Sequence, residues 1–167
     1  ISYCKTSFGL AKDWDVTRVE AQAEIDKCYN DRPEVLQWQK RTIEKAKETG
    51  FTRTMMGRYR RLPDLRSSNS GIRSHGERAA INTPIQGSAA DVMMMGMLKL
   101  HTDEKLKELG WELLLQIHDE VIMEGPEEFA EEAMERVLYC MENPFQKKLR
   151  VDLNVDAKTE KTWYRAK

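Results

Sequence analysis

Two adjacent acids, Asp119 and Glu120, follow His118 inside the apolar stretch LLLQIHDEVIMEG at residues 113–125. Carboxylates beside hydrophobic strands are costly to bury unless they are paired or bind a cation. A hairpin turn would project Asp119 toward solvent or ligand, as a magnesium site requires when waters and phosphate oxygens supply the other ligands. An ordinary turn would also contain these residues, because Asp is a common turn former. His118 could be a general acid or base, a phosphate contact or a packed imidazole.

A second group of residues with binding chemistry lies between Phe51 and Gly76. This segment contains one acid, Asp64, and has a net charge of +5 because it carries six arginines: Arg53, Arg58, Arg60, Arg61, Arg66 and Arg73. Guanidinium groups match the geometry of phosphates, so the segment could hold a polyanion. An exposed, solubilising hairpin would have the same composition.

Arg78, Asn82 and Gln86 follow at successive four-residue spacings within ERAAINTPIQGSAAD. On a helix they would form one polar stripe of hydrogen-bond donors and acceptors. Such a stripe could contact base edges and sugars. A helix face that is simply exposed to water would look the same.

The overall charge hides a strong segregation along the chain. The 167 residues carry a formal net charge of −1, yet residues 101–142 contain 13 acids against 3 basic residues and so carry −10. The acidic helix surface at 127–135 is expected to face water. The arginine segment could hold a polyanion, whereas the acidic region could hold cations or simply face water.

Helices are expected to position these groups. A capping box of Thr17 and Glu20 predicts a helix over 18–29, and Pro33 and Gly50 mark the ends of the next. Apolar residues at helical spacing predict a long helix over 77–100, which Pro84 bends or divides, after a loop at 66–71. A further helix is predicted after Pro126, with Phe129, Ala133, Val137 and Met141 on one face.

Three segments are predicted to be β-structure. The arginine segment forms a hairpin around Gly57, and residues 111–125 form a tight antiparallel hairpin with both acids at its turn. The strictly alternating stretch LRVDLNVDA, residues 149–157, predicts a half-buried strand. Helices that flank a small antiparallel sheet define the α+β class.

Length and composition set the outer limits. The chain is about the size of one domain, and its hydrophobic content of 40% is ordinary. Three widely spaced cysteines, Cys4, Cys28 and Cys140, argue against both a disulfide framework and a zinc ribbon. No apolar run approaches the roughly 18 residues of a membrane helix, so no membrane partner is expected. The sequence starts at Ile1 inside a helical pattern, which suggests a fragment or a cut gene product.

Taken in order, four motifs resemble the C-terminal part of the polymerase domain of family A DNA polymerases, the bacterial repair-polymerase type. QIHDEV is similar to the palm motif ending in His-Asp-Glu, and ERAAINTPIQGSAAD to the helix after the fingers. GRYRRLPDL is similar to the fingers hairpin, and ISYCKTSFGLAK to the end of the nucleotide-binding helix. The segments GWELLLQIHDEVIMEGP and VDLNVDAKTEKTWYRAK further resemble the organellar polymerases of plants and related eukaryotes.

The resemblance implies a fingers portion at residues 1–76 and a palm portion at residues 77–167. It makes Asp119 one of two carboxylates that hold a pair of Mg²⁺ ions, with Glu120 in support and His118 near the primer end. Arg78, Asn82 and Gln86 would contact the minor groove of the primer-template duplex, and Arg58, Arg60 and Arg61 would also bind DNA. Tyr3 would stand next to the template base, and deoxynucleoside triphosphates would be the substrates.

Two departures from the family pattern qualify what the resemblance implies. Cys4 replaces the glycine that usually follows the tyrosine, and it is larger than a close approach of the chain allows. The first palm motif, with the other metal-binding aspartate, would lie upstream of Ile1, in a polymerase segment that these residues do not include. The chain would therefore supply half of the magnesium site, and by itself it is expected to be inactive.

Two rival functions follow from the same residues. A noncatalytic nucleic-acid-binding remnant would use the arginines and the stripe but no metal. A metal-dependent hydrolase built on His118 and Asp119 would need further ligands at hydrolase spacing, which the sequence lacks. The subfamily resemblance implies a mitochondrion or plastid as the compartment.

Overall fold

The computed structural model describes residues 7–166, in which helices predominate. The chain divides between residues 89 and 90 into two compact units, of which the structure describes residues 7–89 and 90–166. The helices are α1 (Ser7–Trp14), α2 (Arg18–Asp31), α3 (Pro33–Thr49), α4 (Ser70–Thr102), α5 (Glu104–Glu108), α6 (Ala130–Glu142) and α7 (Trp163–Ala166). The strands are β1 (Phe51–Arg53), β2 (Tyr59–Arg61), β3 (Glu112–Ile117) and β4 (Glu120–Glu124). The predicted α+β class is confirmed.

In the first unit, the start of α2 and both ends of α3 lie where the sequence predicts them. The Glu20 amide donates to Thr17 Oγ1, and the Thr17 amide donates to the Glu20 carboxylate, so the capping box before α2 is complete. Helix α3 starts at Pro33 and ends at Gly50, whose left-handed conformation (φ 79°) closes the helix. The chain then enters β1 directly.

Helix α4 begins at Ser70, seven residues before the predicted start at residue 77. Asn69 caps it, because its side-chain oxygen accepts hydrogen bonds from the amides of Gly71 and Ile72. The segment predicted to be a loop therefore contains the first helical residues. The helix also continues through Pro84 without a break.

Two apolar clusters hold the first unit together. One joins α1 to α2 through Leu10, Ala21 and Ile25. The other joins α3 to the segment after β2 and to α4, and its buried residues are Ala46, Leu62, Leu65, Ala79 and Ala80. A salt bridge of 2.6 Å between Lys47 and Glu77 also links α3 to α4.

The second unit has a single larger core. Its buried residues are Leu100, Leu106, Leu109, Ala133, Cys140 and Met141, and partly buried residues of β3, β4 and α6 pack against them. The predicted helix after Pro126 is confirmed as a short 3-10 turn followed by α6. Ala133 and Met141 face the core as expected, whereas Phe129 is 38% exposed and is not among the core residues.

The strand predicted at residues 149–157 is wrong, because the structure assigns no strand there. Leu153 and Val155 are half-buried between exposed neighbours, and Val155 contacts the core of the second unit. The alternation was thus real. The alternating pattern indicates only that one side of this segment is apolar. A β-strand also needs a partner strand whose amide and carbonyl groups form hydrogen bonds with it.

No helix in residues 7–166 is long and apolar enough to cross a membrane. Cys28 and Cys140 are free thiols, of which Cys140 is buried.

Candidate functional site

The acidic hairpin, β3 and β4, presents His118 and Asp119 at its tip. The strands are antiparallel, and Ile117 at the end of β3 pairs with Glu120 at the start of β4. His118 and Asp119 therefore form the whole connecting loop. His118 has a φ of 54°, which fits the positive φ that tight hairpin turns require. Glu120 was expected at the turn; it is instead the first residue of β4.

The base of the acidic hairpin is fixed to its own unit. Leu113, Val121 and Met123 contact the core, and the register shifts between Leu113 and Leu115 because Leu114 is a bulge. This bulge moves Leu115 to the opposite face, where it pairs with Ile122. Packing against the core therefore fixes one face of the acidic hairpin at its base, while the tip of the hairpin extends beyond the core.

The tip itself is exposed to solvent. His118, Asp119 and Glu120 are all exposed, and the side chain of Gln116 donates a hydrogen bond to the carbonyl oxygen of His118. This contact stabilises the turn and leaves the Asp119 carboxylate available for ligands.

The donor set at the tip fits one side of a magnesium site. Mg²⁺ prefers carboxylate oxygens, and it keeps several waters and phosphate oxygens as its other ligands. Within residues 7–166, no group of three or more His, Cys, Asp or Glu side chains is placed to hold a metal ion. Asp119 with Glu120 would therefore form part of a site that other oxygens complete.

The arginine hairpin, β1 and β2, lies in the first unit. Three antiparallel pairs join Phe51 to Arg61, Thr52 to Arg60 and Arg53 to Tyr59. Residues 54–58 form the loop, in which Gly57 has a φ of 84° and the Thr54 amide donates to the Arg58 carbonyl. The predicted hairpin around Gly57 is confirmed.

This hairpin rests on α4 through three contacts near the polar stripe. The Met55 amide donates to Ser88 Oγ (2.9 Å), and the Arg60 guanidinium donates to Thr83 Oγ1 (3.4 Å). The Thr54 methyl lies so close to Gly87 that a Cβ on that glycine would be 2.5 Å away. The structure thus brings Arg60 beside the part of α4 that carries the stripe.

The members of the stripe differ in exposure. Arg78 and Asn82 are half-buried, and Gln86 is exposed. The side-chain oxygen of Asn82 is buried without a hydrogen-bond partner among the described residues. An unpaired buried acceptor is costly, so this amide is the stripe member with the strongest need for a ligand donor.

The expected site residues are divided between the two units. The stripe and Arg58, Arg60 and Arg61 belong to the first unit, and His118, Asp119 and Glu120 belong to the second. Tyr3 lies outside the described residues, as does Cys4. Sequence reasoning did not single out Thr83 or Tyr59, although pairing the arginine strands in register would have placed Tyr59 opposite Arg53.

Comparisons with known proteins give one consistent answer. The model of DNA polymerase family A matches residues 1–165. The chain is 52% identical to DNA polymerase I B, chloroplastic/mitochondrial, of Arabidopsis thaliana, and covers 16% of that protein. It is 50% identical to DNA polymerase I B, mitochondrial, of Oryza sativa subsp. japonica (16% covered), and 40% identical to DNA polymerase I of Bacillus caldotenax (19% covered). In each comparison the match spans 100% of this chain.

A solved structure is similar over most of the described fold. The POL domain of Pol1 from M. smegmatis, in complex with DNA primer-template and dNTP, matches with a TM-score of 0.83 and 34% identity. The match covers 92% of this chain and 27% of that one. The chain therefore spans less than a third of the solved chain and about a sixth to a fifth of the curated relatives.

Proposed function

The chain belongs to DNA polymerase family A, and we propose that it forms the C-terminal fingers and palm part of a DNA-directed DNA polymerase. The reaction would be template-directed nucleotidyl transfer in DNA replication or repair, with primer-template DNA and deoxynucleoside triphosphates as partners. The observation that carries this proposal is the exposed Asp119 carboxylate at the tip of a hairpin whose base is held by the core.

In this proposal, Asp119 and Glu120 are the acidic residues of the reaction site. Asp119 would bind Mg²⁺, and Glu120, fixed at the start of β4, would support the site from beside it. When bound, the metal would stabilise the charge on the attacking 3′-hydroxyl and on the leaving pyrophosphate. His118 would lie near the primer end.

The first unit would hold the nucleic acid. Arg78, Asn82 and Gln86 would contact the minor groove, where the acceptors are similar for every correct base pair. The unpaired Asn82 oxygen supports this role, because a base or sugar donor would satisfy it. Arg58, Arg60 and Arg61 would bind phosphates, and Tyr3 would lie next to the template base. The fingers would comprise residues 1–76 and the palm residues 77–167.

These 167 residues by themselves are proposed to be inactive. A single palm aspartate cannot place two metal ions, so a further polymerase segment with the other aspartate is needed. Incubation of the purified chain with primer-template, nucleotides and Mg²⁺ should give no more extension than its Asp119→Ala variant. Extension above that level would overturn this part of the proposal.

Activity of the site can be tested in a longer enzyme. In a chimera, this chain would replace the matched segment of the Arabidopsis DNA polymerase I B, to which it is 52% identical. We expect the chimera to extend primers and the Asp119→Asn chimera to lose extension. Asp156→Asn, a change at another exposed aspartate, is the matched control and should retain activity. A folded chimera that is inactive, or one that tolerates Asp119→Asn, would contradict the proposal.

Family membership and the polymerase complex among the similar structures do not favour the noncatalytic remnant. The compartment is proposed to be a mitochondrion or plastid, because plant relatives at 50–53% identity have those compartments in their names. Imaging the complete protein with a fluorescent tag would test this, and signal confined to the cytosol would contradict it.

A further inference from the structure

The arginine hairpin has two chemically different faces. Side chains alternate between the faces of a strand, and paired residues share a face. Thr52 and Arg60 form one pair, in which Thr52 is buried and Arg60 contacts Thr83 of α4. The other pairs, Phe51 with Arg61 and Arg53 with Tyr59, therefore lie on the opposite face, which we call the outer face.

The outer face combines aromatic rings with guanidinium groups. The rings of Phe51 and Tyr59 meet edge to face, with centroids 5.9 Å apart, and the Arg53 guanidinium lies 5.0 Å from the centre of the Phe51 ring. These contacts fix the orientation of both rings. Tyr59 is nevertheless 58% exposed, and Arg53 and Arg61 are exposed as well. The face thus offers an open aromatic surface between two positive charges.

A cavity of about 330 Å³ lies at the edge of the hairpin, between α3, β1 and α4, where Thr52 and Pro84 also line it. Phe51 and Arg53 line it from the hairpin, and Trp38 and Lys45 line it from α3. No carboxylate is among the described residues that line it. The aromatic and basic character of the outer face therefore continues into a concave surface.

We propose that the outer face and this cavity bind single-stranded nucleic acid, with an unpaired base stacked on Tyr59 and phosphates near Arg53, Arg61 and Lys45. Binding of single strands without sequence preference combines basic surfaces with aromatic rings on which bases stack. A duplex base has both of its faces covered by neighbouring pairs, so only an unpaired strand can use the Tyr59 ring. The inference rests on the proposed function for the source of the strand, which would be the unpaired part of the template.

The test measures binding of a labelled 12-nucleotide oligothymidylate to the 167-residue chain by fluorescence anisotropy, without Mg²⁺ or nucleotides. Tyr59→Ala should weaken binding roughly tenfold, since stacking on an aromatic side chain is worth about that much per base. Tyr59→Phe keeps the ring and should stay within about twofold. Tyr164→Ala, at a tyrosine that is 90% exposed in the second unit, is the matched control and should leave binding unchanged.

Two further measurements make the outcome decisive. Arg61→Gln should reduce the slope of log affinity against log salt by roughly 0.7, the value for one phosphate contact on a single strand. Polyglutamate at equal charge should compete poorly, because it has charge but no rings. No binding of the oligothymidylate, equal binding by Tyr59→Ala, or full competition by polyglutamate would overturn the inference. An inactive chimera would instead overturn the proposed function, since the binding assay does not depend on extension.

Discussion

The two hairpins of this chain present opposite charges in different ways. The arginine hairpin has strands of three residues, and its loop and one face rest on α4. The acidic hairpin has strands of six and five residues, and only its base packs against a core. Its tip carries Asp119 on a two-residue loop. Cations are thus distributed over two faces, whereas the carboxylate is concentrated at one point.

This difference follows from what each charge would bind. Phosphates recur along a nucleic acid strand, so several spaced guanidinium groups can each contribute. A metal ion occupies one point, and its ligands must be held in a fixed geometry. A short pair of strands is marginal in water by itself, which explains why the arginine hairpin needs α4 as a support.

The largest expected effect is that substitutions in the two hairpins change different kinetic constants. In the chimera, Asp119→Asn should lower kcat by roughly a thousandfold or more, because it removes a metal ligand worth several kcal/mol in the transition state. Arg60→Gln should raise KM for DNA and leave kcat nearly unchanged, because a phosphate contact acts in ground and transition states alike. Steady-state primer extension measures both constants. A drop in kcat for Arg60→Gln as large as that for Asp119→Asn would contradict the assignment of different roles to the two hairpins.

A second prediction contrasts Asp119 with Asp103, a buried acid of the same unit. Asp103 Oδ1 accepts from the Leu106 amide (3.0 Å) and caps α5, and Oδ2 accepts from Arg136 Nε (2.7 Å). Burial favours a higher pKa for the Asp103 carboxyl, but the hydrogen bonds from Arg136 and Leu106 outweigh it and lower the pKa. Burial also raises the pKa of the neighbouring Cys140 thiol to about 11, so this thiol stays neutral at pH 7.

Substitution of Asp103 should therefore destabilise the second unit. Asp103→Asn keeps a good capping residue and removes the charge, so we expect a loss of roughly 1–3 kcal/mol in the free energy of unfolding at pH 7. Asp103→Ala should lose about 1 kcal/mol more, since the cap also disappears. Denaturant unfolding of the 167-residue chain measures both values.

The pH dependence tests the assigned cause. The pKa of Asp103 is lower in the folded chain than in the unfolded chain, so its stabilisation is full above the unfolded pKa of about 3.9. It is lost as the pH falls through the folded pKa. The difference between the wild type and Asp103→Asn should thus shrink below about pH 4. A difference that is constant from pH 7 to pH 3 would assign the effect to the amide rather than to the charge.

Local signals in the sequence predicted most of the elements that hold the hairpins. The capping box of Thr17 and Glu20, the terminal Gly50 and the turn at Gly57 each depend on a few neighbouring residues, and each lies where it was expected. The start of α4 was missed because the apolar positions at helical spacing begin only near residue 77, whereas the helix begins at Ser70. Gly76, within this first part of the helix, lies close to the segment after β2, since a Cβ there would lie 3.1 Å from Asp64 Cβ.

Features that depend on distant residues could not be predicted. The alternation of residues 149–157 says nothing about whether a partner strand exists, and none is paired with them in the described chain. Which of Arg60 and Arg61 faces α4 depends on the register of β1 against β2 and on the contact with Thr83, 23 residues beyond Arg60 in the chain. The motif at His118 was local and recognisable, whereas the register shift at Leu114 in the preceding strand was not predicted.

The third prediction tests how strongly the arginine hairpin depends on α4. Gly87→Ala would place a Cβ 2.5 Å from the Thr54 methyl, a short β-branched group that cannot move aside, so we expect a loss of roughly 1–3 kcal/mol. Gly96→Ala, in the same helix, would meet Met141 Sδ at 2.8 Å, and this flexible side chain can shift. Gly96→Ala should therefore be nearly neutral. Equal losses for the two variants would show that close approach to the hairpin is not the cause.

The smallest expected effect concerns the tip of the acidic hairpin. His118 has a left-handed φ of 54°, which Asn tolerates better than most residues. His118→Asn should therefore keep the turn and change the free energy of unfolding by less than about 0.5 kcal/mol, measured by denaturant unfolding. His118→Val, which is β-branched, should cost roughly 1–2 kcal/mol because it opposes this backbone conformation.

The Asn variant thus removes the imidazole without moving Asp119. If the His118→Asn chimera loses activity, the imidazole itself contributes near the primer end; if activity persists, His118 serves only the turn.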